Sequence, residues 1–285
     1  MLSIKKTLLV PILFTAVLVL ASCAATNPNA SSNNTTRTTG FDTALADSIL
    51  KIGLDNEALY TLISDIKPMS SLIGFTLPFE IDSVELIKGH ALNLEKKAKY
   101  VEKIKRYTEV LEALDTQDLD FVMVPFRMVS DSTKSFQVNV IRKSRMDEVI
   151  NSHLDFFAYM GIVPGTDPGI VLSTVENQEQ ILRLRAYGYL FGYPDYAVDF
   201  FVEAYHQGKQ TKSFVERDFF QIPVFSSKTG HFVYAMPKGH TPTETDSTLY
   251  RRALTVLDRY RNIRSTYFNA DSTFQSLKLI RELGN

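Results

Sequence analysis

Asp199, Glu203 and His206 fall on one stripe of a helical pattern, and Glu203-x-x-His206 has the i,i+3 spacing used by carboxylate-bridged metal sites in helical bundles. Such a site takes a second copy of the motif from another helix. The sequence holds no second copy, so the stripe is expected to be an exposed polar face, and no metal centre is assigned. His231 and His240 flank a pair of candidate strands. With His206 and Asp195 they would make an acid–base or metal site if the fold brought them together, because imidazole changes charge near neutral pH. Tyr193 and Asp195 stand at a corner between two helical patterns and are candidates for contact with a ligand. His153 lies at the edge of an apolar helical face and is expected to pack, and His90 follows Gly89 in a bend. There is no Gly-rich phosphate loop, no G-x-S-x-G, no H-E-x-x-H and no CxxC, so no catalytic residue is named and no cofactor is expected.

The elements that must position these residues centre on Ser173–Gly208. Ser173 and Glu176 match a capping box, and Val175, Ile181, Leu182 and Leu190 give the helix that would follow an apolar side. Gly192 suits the left-handed end of that helix, Pro194 the first position of the next, and Asp195 its positive end. Ala197, Val198, Phe200, Phe201, Val202 and Tyr205 make the second helix apolar around most of its girth, and Gly208 closes it. A central helical hairpin over about 174–207 is therefore expected.

Around it the pattern predicts a helix capped by Asp42 and ended by Gly53, and a second capped by Asp55 with Pro68 past its end. Residues 69–81 read as irregular because of Gly74 and Pro78. A long helix is expected from about Ser83 to Leu114, its charged faces solvated. Residues 119–142 read as a β-hairpin, Met146–Met160 as a helix ended by Gly161, and 217–237 as a second hairpin with Pro223 at an edge. Two C-terminal helices follow, capped by Asp246 and by Asp271 or Ser272. The fold class is α+β and helix-rich, with no βαβ signature.

The N-terminus carries a different chemistry. Lys5 and Lys6 precede an almost purely apolar run, Leu8 to Leu20, shorter than the roughly 20 residues a spanning helix needs. It ends in Leu20-Ala21-Ser22-Cys23. This resembles the lipobox of bacterial lipoproteins, over residues 1–23 only. The resemblance implies cleavage of a signal peptide (1–22) and a diacylglycerol thioether on Cys23, with a further acyl chain such as palmitate on the new amino group. Cysteine is required because a thiolate forms the thioether, and two or three chains anchor stably where one is marginal. Ala24 in place of an acidic residue implies the outer membrane. Ala24–Gly40 is polar and low in complexity, so residues 23–40 are expected to be a lipidated, flexible tether reaching about 20–25 Å. Residues 41–285 would then form a single ectodomain.

Two further resemblances involve named residues. Gly192-Tyr193-Pro194-Asp195-Tyr196-Ala197-Val198 is similar to a Leu-Gly-Tyr-Pro-x-Cys-Cys motif of an uncharacterised, mainly archaeal family. Tyr196 and Ala197 stand at its two cysteines, so a thiol-based role is not implied. The tripeptides that begin at Asp42, Asp47, Asp82, Asp131, Asp246 and Asp271 resemble the O-glycosylation pattern of exported proteins in some Gram-negative bacteria, with Thr43 and Ser48 as the candidate sites. Asp followed by Ser or Thr also marks helix caps and turns, the reading preferred here.

The chain of 285 residues has a net charge of -1, which gives no electrostatic footprint for nucleic acid. Tryptophan is absent, so 19 Phe and 13 Tyr must supply the large core side chains. The expectation is a lipid-anchored envelope protein that binds or assembles at the membrane surface. Its partners would be the membrane through the lipid and an envelope protein or small ligand. The alternative is an envelope enzyme, such as a metal-assisted hydrolase, with a His/carboxylate site near the central helices.

Overall fold

Asp42 begins the first helix as its sequence suggests: its Oδ1 accepts from Leu45 N at 3.0 Å. The computed structural model describes residues 41–81, 90–92, 97–130 and 133–284. Helix α1 (Thr43–Asp55) and the single turn α2 (Leu59–Leu62) lead into β1 (Met69–Ile81), β2 (His90–Leu92), α3 (Lys97–Leu114), β3 (Leu119–Ser130) and β4 (Thr133–Arg142). Then come α4 (Lys143–Ser152), α5 (Leu154–Tyr159), α6 (Pro168–Glu176), α7 (Gln180–Leu190) and α8 (Asp195–Thr211). A second hairpin, β5 (Arg217–Ile222) and β6 (Phe232–Pro237), precedes α9 (Glu244–Arg264), a 3-10 turn at Ser265–Tyr267 and α10 (Ser276–Leu283). The class is α+β.

The larger sheet is antiparallel in the order β2-β1-β4-β3, and the period of two along β4 splits its side chains between two cores. Val138 and Val140 join one core with α1, α2, α9 and α10, whereas Ile141 joins Met146, Val171, Val175 and Leu190 in the other. The small β5–β6 sheet packs into the first core through Ile222, Phe232 and Tyr234. These described core residues all belong to one compact unit, Gly40–Asn285, which carries a hydrophobic core of its own, as a domain able to fold alone does. None of the described helices is long and apolar enough to cross a membrane.

Several expectations need correction. Residues 69–81 form a strand, not an irregular stretch. β2 covers only Phe79–Ile81, so over residues 69–78 one edge of β1 meets no described strand, and Gly74 and Pro78 are tolerated there. The helix expected after Asp55 is the single turn Leu59–Leu62, and Asp55 does not cap it: its carboxylate accepts from Arg264 and Tyr260 of α9. Among the described residues the long helix covers Lys97–Leu114, and residues 90–92, inside its expected range, are strand; Ser83 lies outside the described residues. Ser173 lies inside α6 rather than at a helix start. Glu176 accepts from Arg127 N and Tyr187 Oη, both at 2.8 Å, which leaves it unavailable to the expected capping box. The helix expected over 146–160 divides at His153 into α4 and α5. α8 passes Gly208 and ends at Thr211, with Lys212 as its left-handed cap at φ 56°. Thr243, not Asp246, caps α9, with Asp246 completing the reciprocal box. α10 starts at Ser276, and Asp271 instead holds a turn by accepting from Thr273 N at 3.0 Å.

The corner itself is as expected. Gly192 has φ +74°, and Pro194 stands as the cap of α8, one position earlier than anticipated. Lys5, Lys6, Leu8–Leu20, Cys23, the stretch Ala24–Gly40, Asp82 and Asp131 lie outside the described residues.

Candidate functional site

Leu184, Tyr187, Gly188 and Phe191 recur at i, i+3, i+4 and i+7 and form one face of α7. Ala197, Val198 and Phe201 present the facing side of α8. Along β5 and β6, Phe219 pairs with Ala235, and Val233 is the next residue of that face. Together with Tyr193 and Tyr234, these residues line a cavity of about 300 Å³. The helices approach closely here because Gly188 has no side chain: a Cβ there would lie 2.8 Å from Val198 Cγ2. Phe201 and Phe219 remain 37% and 54% exposed, which places large apolar rings at the mouth.

The polar atoms of the wall are mostly occupied. Tyr187 Oη donates to Glu176 Oε2 at 2.8 Å, and Tyr234 Oη donates to Asp246 Oδ1 at 2.6 Å. Burial and these carboxylates raise both phenols far above the ordinary tyrosine range. Tyr196 Oη also donates to Asp246 Oδ1, at 2.8 Å, and Thr243 N reaches Oδ2 at 2.6 Å. Burial would raise the Asp246 pKa, but the bonds from Tyr234, Thr243 and Tyr196 hold it below the usual carboxylate value.

Behind the wall lies a buried cation. Lys67 is fully buried, with Nζ 2.9 Å from Glu57 Oε2 and 4.2 Å from the Phe232 ring centre. Phe191 and Tyr193, both cavity residues, stand 5.2 and 5.5 Å from the same ammonium. Burial lowers its pKa against the opposing pull of Glu57. The ammonium thus holds the aromatic wall from the rear. Sequence reading missed Lys67. Its signal is a lysine between Ile66 and Pro68-Met69 in an otherwise apolar stretch.

Of the residues singled out from sequence, Tyr193 lines the cavity. Asp195 lies outside it and meets His153 instead, at 3.4 Å from Nε2, while that ring stacks on Tyr189 at 3.8 Å. Asp199 pairs with Arg185 of α7, and His206 meets Gln210 at 3.2 Å. Glu203 and His231 are exposed. His240 stacks on Tyr196 at 4.9 Å, and its Nε2 is buried with no hydrogen bond among the described residues. No group of three or more His, Cys, Asp or Glu placed to hold a metal occurs among the described residues, so Asp199, Glu203 and His206 are not joined by further ligands there. Thr43 and Ser48 are exposed on α1, with Asp42 used as its cap and Asp47 accepting from Leu277 N at 2.8 Å. His90 lies in β2.

The arrangement can desolvate an apolar group of modest size; among the described residues its lining holds no His, Cys, Asp, Glu, Lys or Arg. No protein-family model, no curated protein and no solved structure matches this chain.

Proposed function

We propose that the protein is a lipid-anchored component of the bacterial cell envelope, held through Cys23, and that its folded unit binds an apolar ligand between α7, α8 and the β5–β6 hairpin. The observation that carries the binding reading is the cavity itself. Its volume of about 300 Å³ lies at the lower end of small-molecule sites, and its wall is almost wholly aliphatic and aromatic. The tyrosines at 187 and 234 have given their hydroxyls to Glu176 and Asp246, so the wall offers apolar surface rather than an acid or base. The anchoring half of the reading rests on the charge, apolar length and terminal cysteine of residues 1–23.

A fluorescence titration tests it. Residues 41–285 should bind the neutral probe N-phenyl-1-naphthylamine saturably, with one site. Val233→Trp fills the cavity and should weaken binding about tenfold or more. Phe219→Ala removes an exposed ring at the mouth and should weaken it less, with little change in melting temperature. Unsaturable binding, or affinity untouched by both substitutions, would overturn the proposal.

A further inference from the structure

Arg217 stands beside the cavity, against its lining residue Phe201. Arg217 and Phe219 share a face of β5, and Phe219 lines the cavity. The Arg217 guanidinium carbon lies 5.9 Å from the ring centre of Phe201, another lining residue, and 4.5 Å from that of Phe214. Phe214 is 75% exposed, so the guanidinium rests among rings at the rim and is not sunk in the core. Its hydrogen bond among the described residues runs from Nε to the Val215 carbonyl at 3.1 Å, which leaves the two terminal amino groups for another acceptor.

The nearby acids are directed elsewhere. Asp218 alternates to the opposite face of β5, where it binds Lys238 Nζ at 2.8 Å and Gly239 N at 2.7 Å. Lys238 is held above its ordinary pKa by Asp218, and no ion pair joins Glu216 to Arg217 among the described residues. Glu203 follows Phe201 by two residues, about 200° round α8, and faces away from the cavity. A guanidinium beside an apolar cavity, with no carboxylate paired to it among the described residues, suits a ligand that has an apolar body and one negative charge at its end.

We propose that the cavity takes a free carboxylate-headed acyl chain, its tail between α7, α8 and the β5–β6 hairpin and its head on the terminal nitrogens of Arg217. The single charge of a carboxylate matches the single guanidinium, and its two oxygens match the two amino groups. This rests on the reading of the cavity as a binding site, and the experiment separates the two.

Decanoate and decan-1-ol share a tail and differ at the head. Each is titrated against N-phenyl-1-naphthylamine bound to residues 41–285. Wild type should release the probe to decanoate at a concentration at least about tenfold lower than to decanol, although the alcohol is the more apolar of the two. Arg217→Gln should keep probe and decanol binding and lose the preference, and Arg217→Lys should keep part of it. Equal displacement by the two in wild type, or a preference that survives in Arg217→Gln, overturns the carboxylate assignment and leaves the apolar site standing. Capture of the protein by phosphatidylglycerol vesicles with no displacement by decanoate also overturns it, in favour of a lipid surface. Failure of the probe itself to bind removes both readings.

Discussion

Asp246 joins local folding to the cavity. One carboxylate oxygen closes the capping box of α9, and the other holds the hydroxyls of Tyr234 and Tyr196. Removing it leaves two phenols without their acceptor and a helix without its box, so Asp246→Ala should destabilise the fold by about 3 kcal/mol. It should also loosen Tyr234 and weaken probe binding. Because the folded-state pKa lies below the unfolded one, the ionised carboxylate stabilises the fold above about pH 4, and that contribution is lost as pH falls toward the folded value. Denaturant melts from pH 7 to pH 3 should therefore fall less steeply for Asp246→Asn than for wild type. Equal slopes would show that this network does not stabilise the ionised form. The dual role was only half legible in the sequence. Helix-start chemistry near Asp246 is local and could be read, whereas its contact with Tyr196, fifty residues away, depends on tertiary packing.

Among the elements, the corner at Gly192–Pro194 joins α7 to α8, the two helices that wall the cavity. Gly192 adopts φ +74°, and a Cβ there would meet Pro68 Cδ at 2.8 Å, so strain and collision add. Gly192→Val should cost more than about 2 kcal/mol and lower the melting temperature by about 4 °C or more. Pro194→Ala should cost less than about 1 kcal/mol, because it only releases a preset φ. Comparable losses for the two would contradict this account of the corner. The corner was readable because Gly, Pro and Asp act within a few residues of one another. The hairpin over 119–142 was readable because its apolar alternation is local. β1 was not: Gly74 and Pro78 point to a loop, and the strand exists because β4, some sixty residues on, pairs with it. The cavity was hidden for the same reason. Tyr193 could be named from the corner, but Val233 and Ala235 come from a hairpin that meets it only in the folded molecule.

For the whole molecule, the proposed anchor and the proposed site are separate. Cys23 precedes the unit Gly40–Asn285 that holds the described core and the cavity. Cys23→Ala should move the protein from the membrane fraction to the soluble one and leave the melting temperature of the folded unit unchanged. Mass spectrometry of the mature N-terminus should find a diacylglycerol thioether in wild type; an unmodified Cys23 would remove the envelope assignment. The central claim, an apolar site between α7, α8 and the β5–β6 hairpin, is tested most directly by methyl NMR of residues 41–285 titrated with N-phenyl-1-naphthylamine. The account predicts saturable shifts at the methyl groups of Leu184, Ala197, Val198, Val233 and Ala235, with Leu277 and Ile280 of the separate cleft by α10 unmoved. Shifts confined to Leu277 and Ile280, or none at the five lining residues, would contradict it.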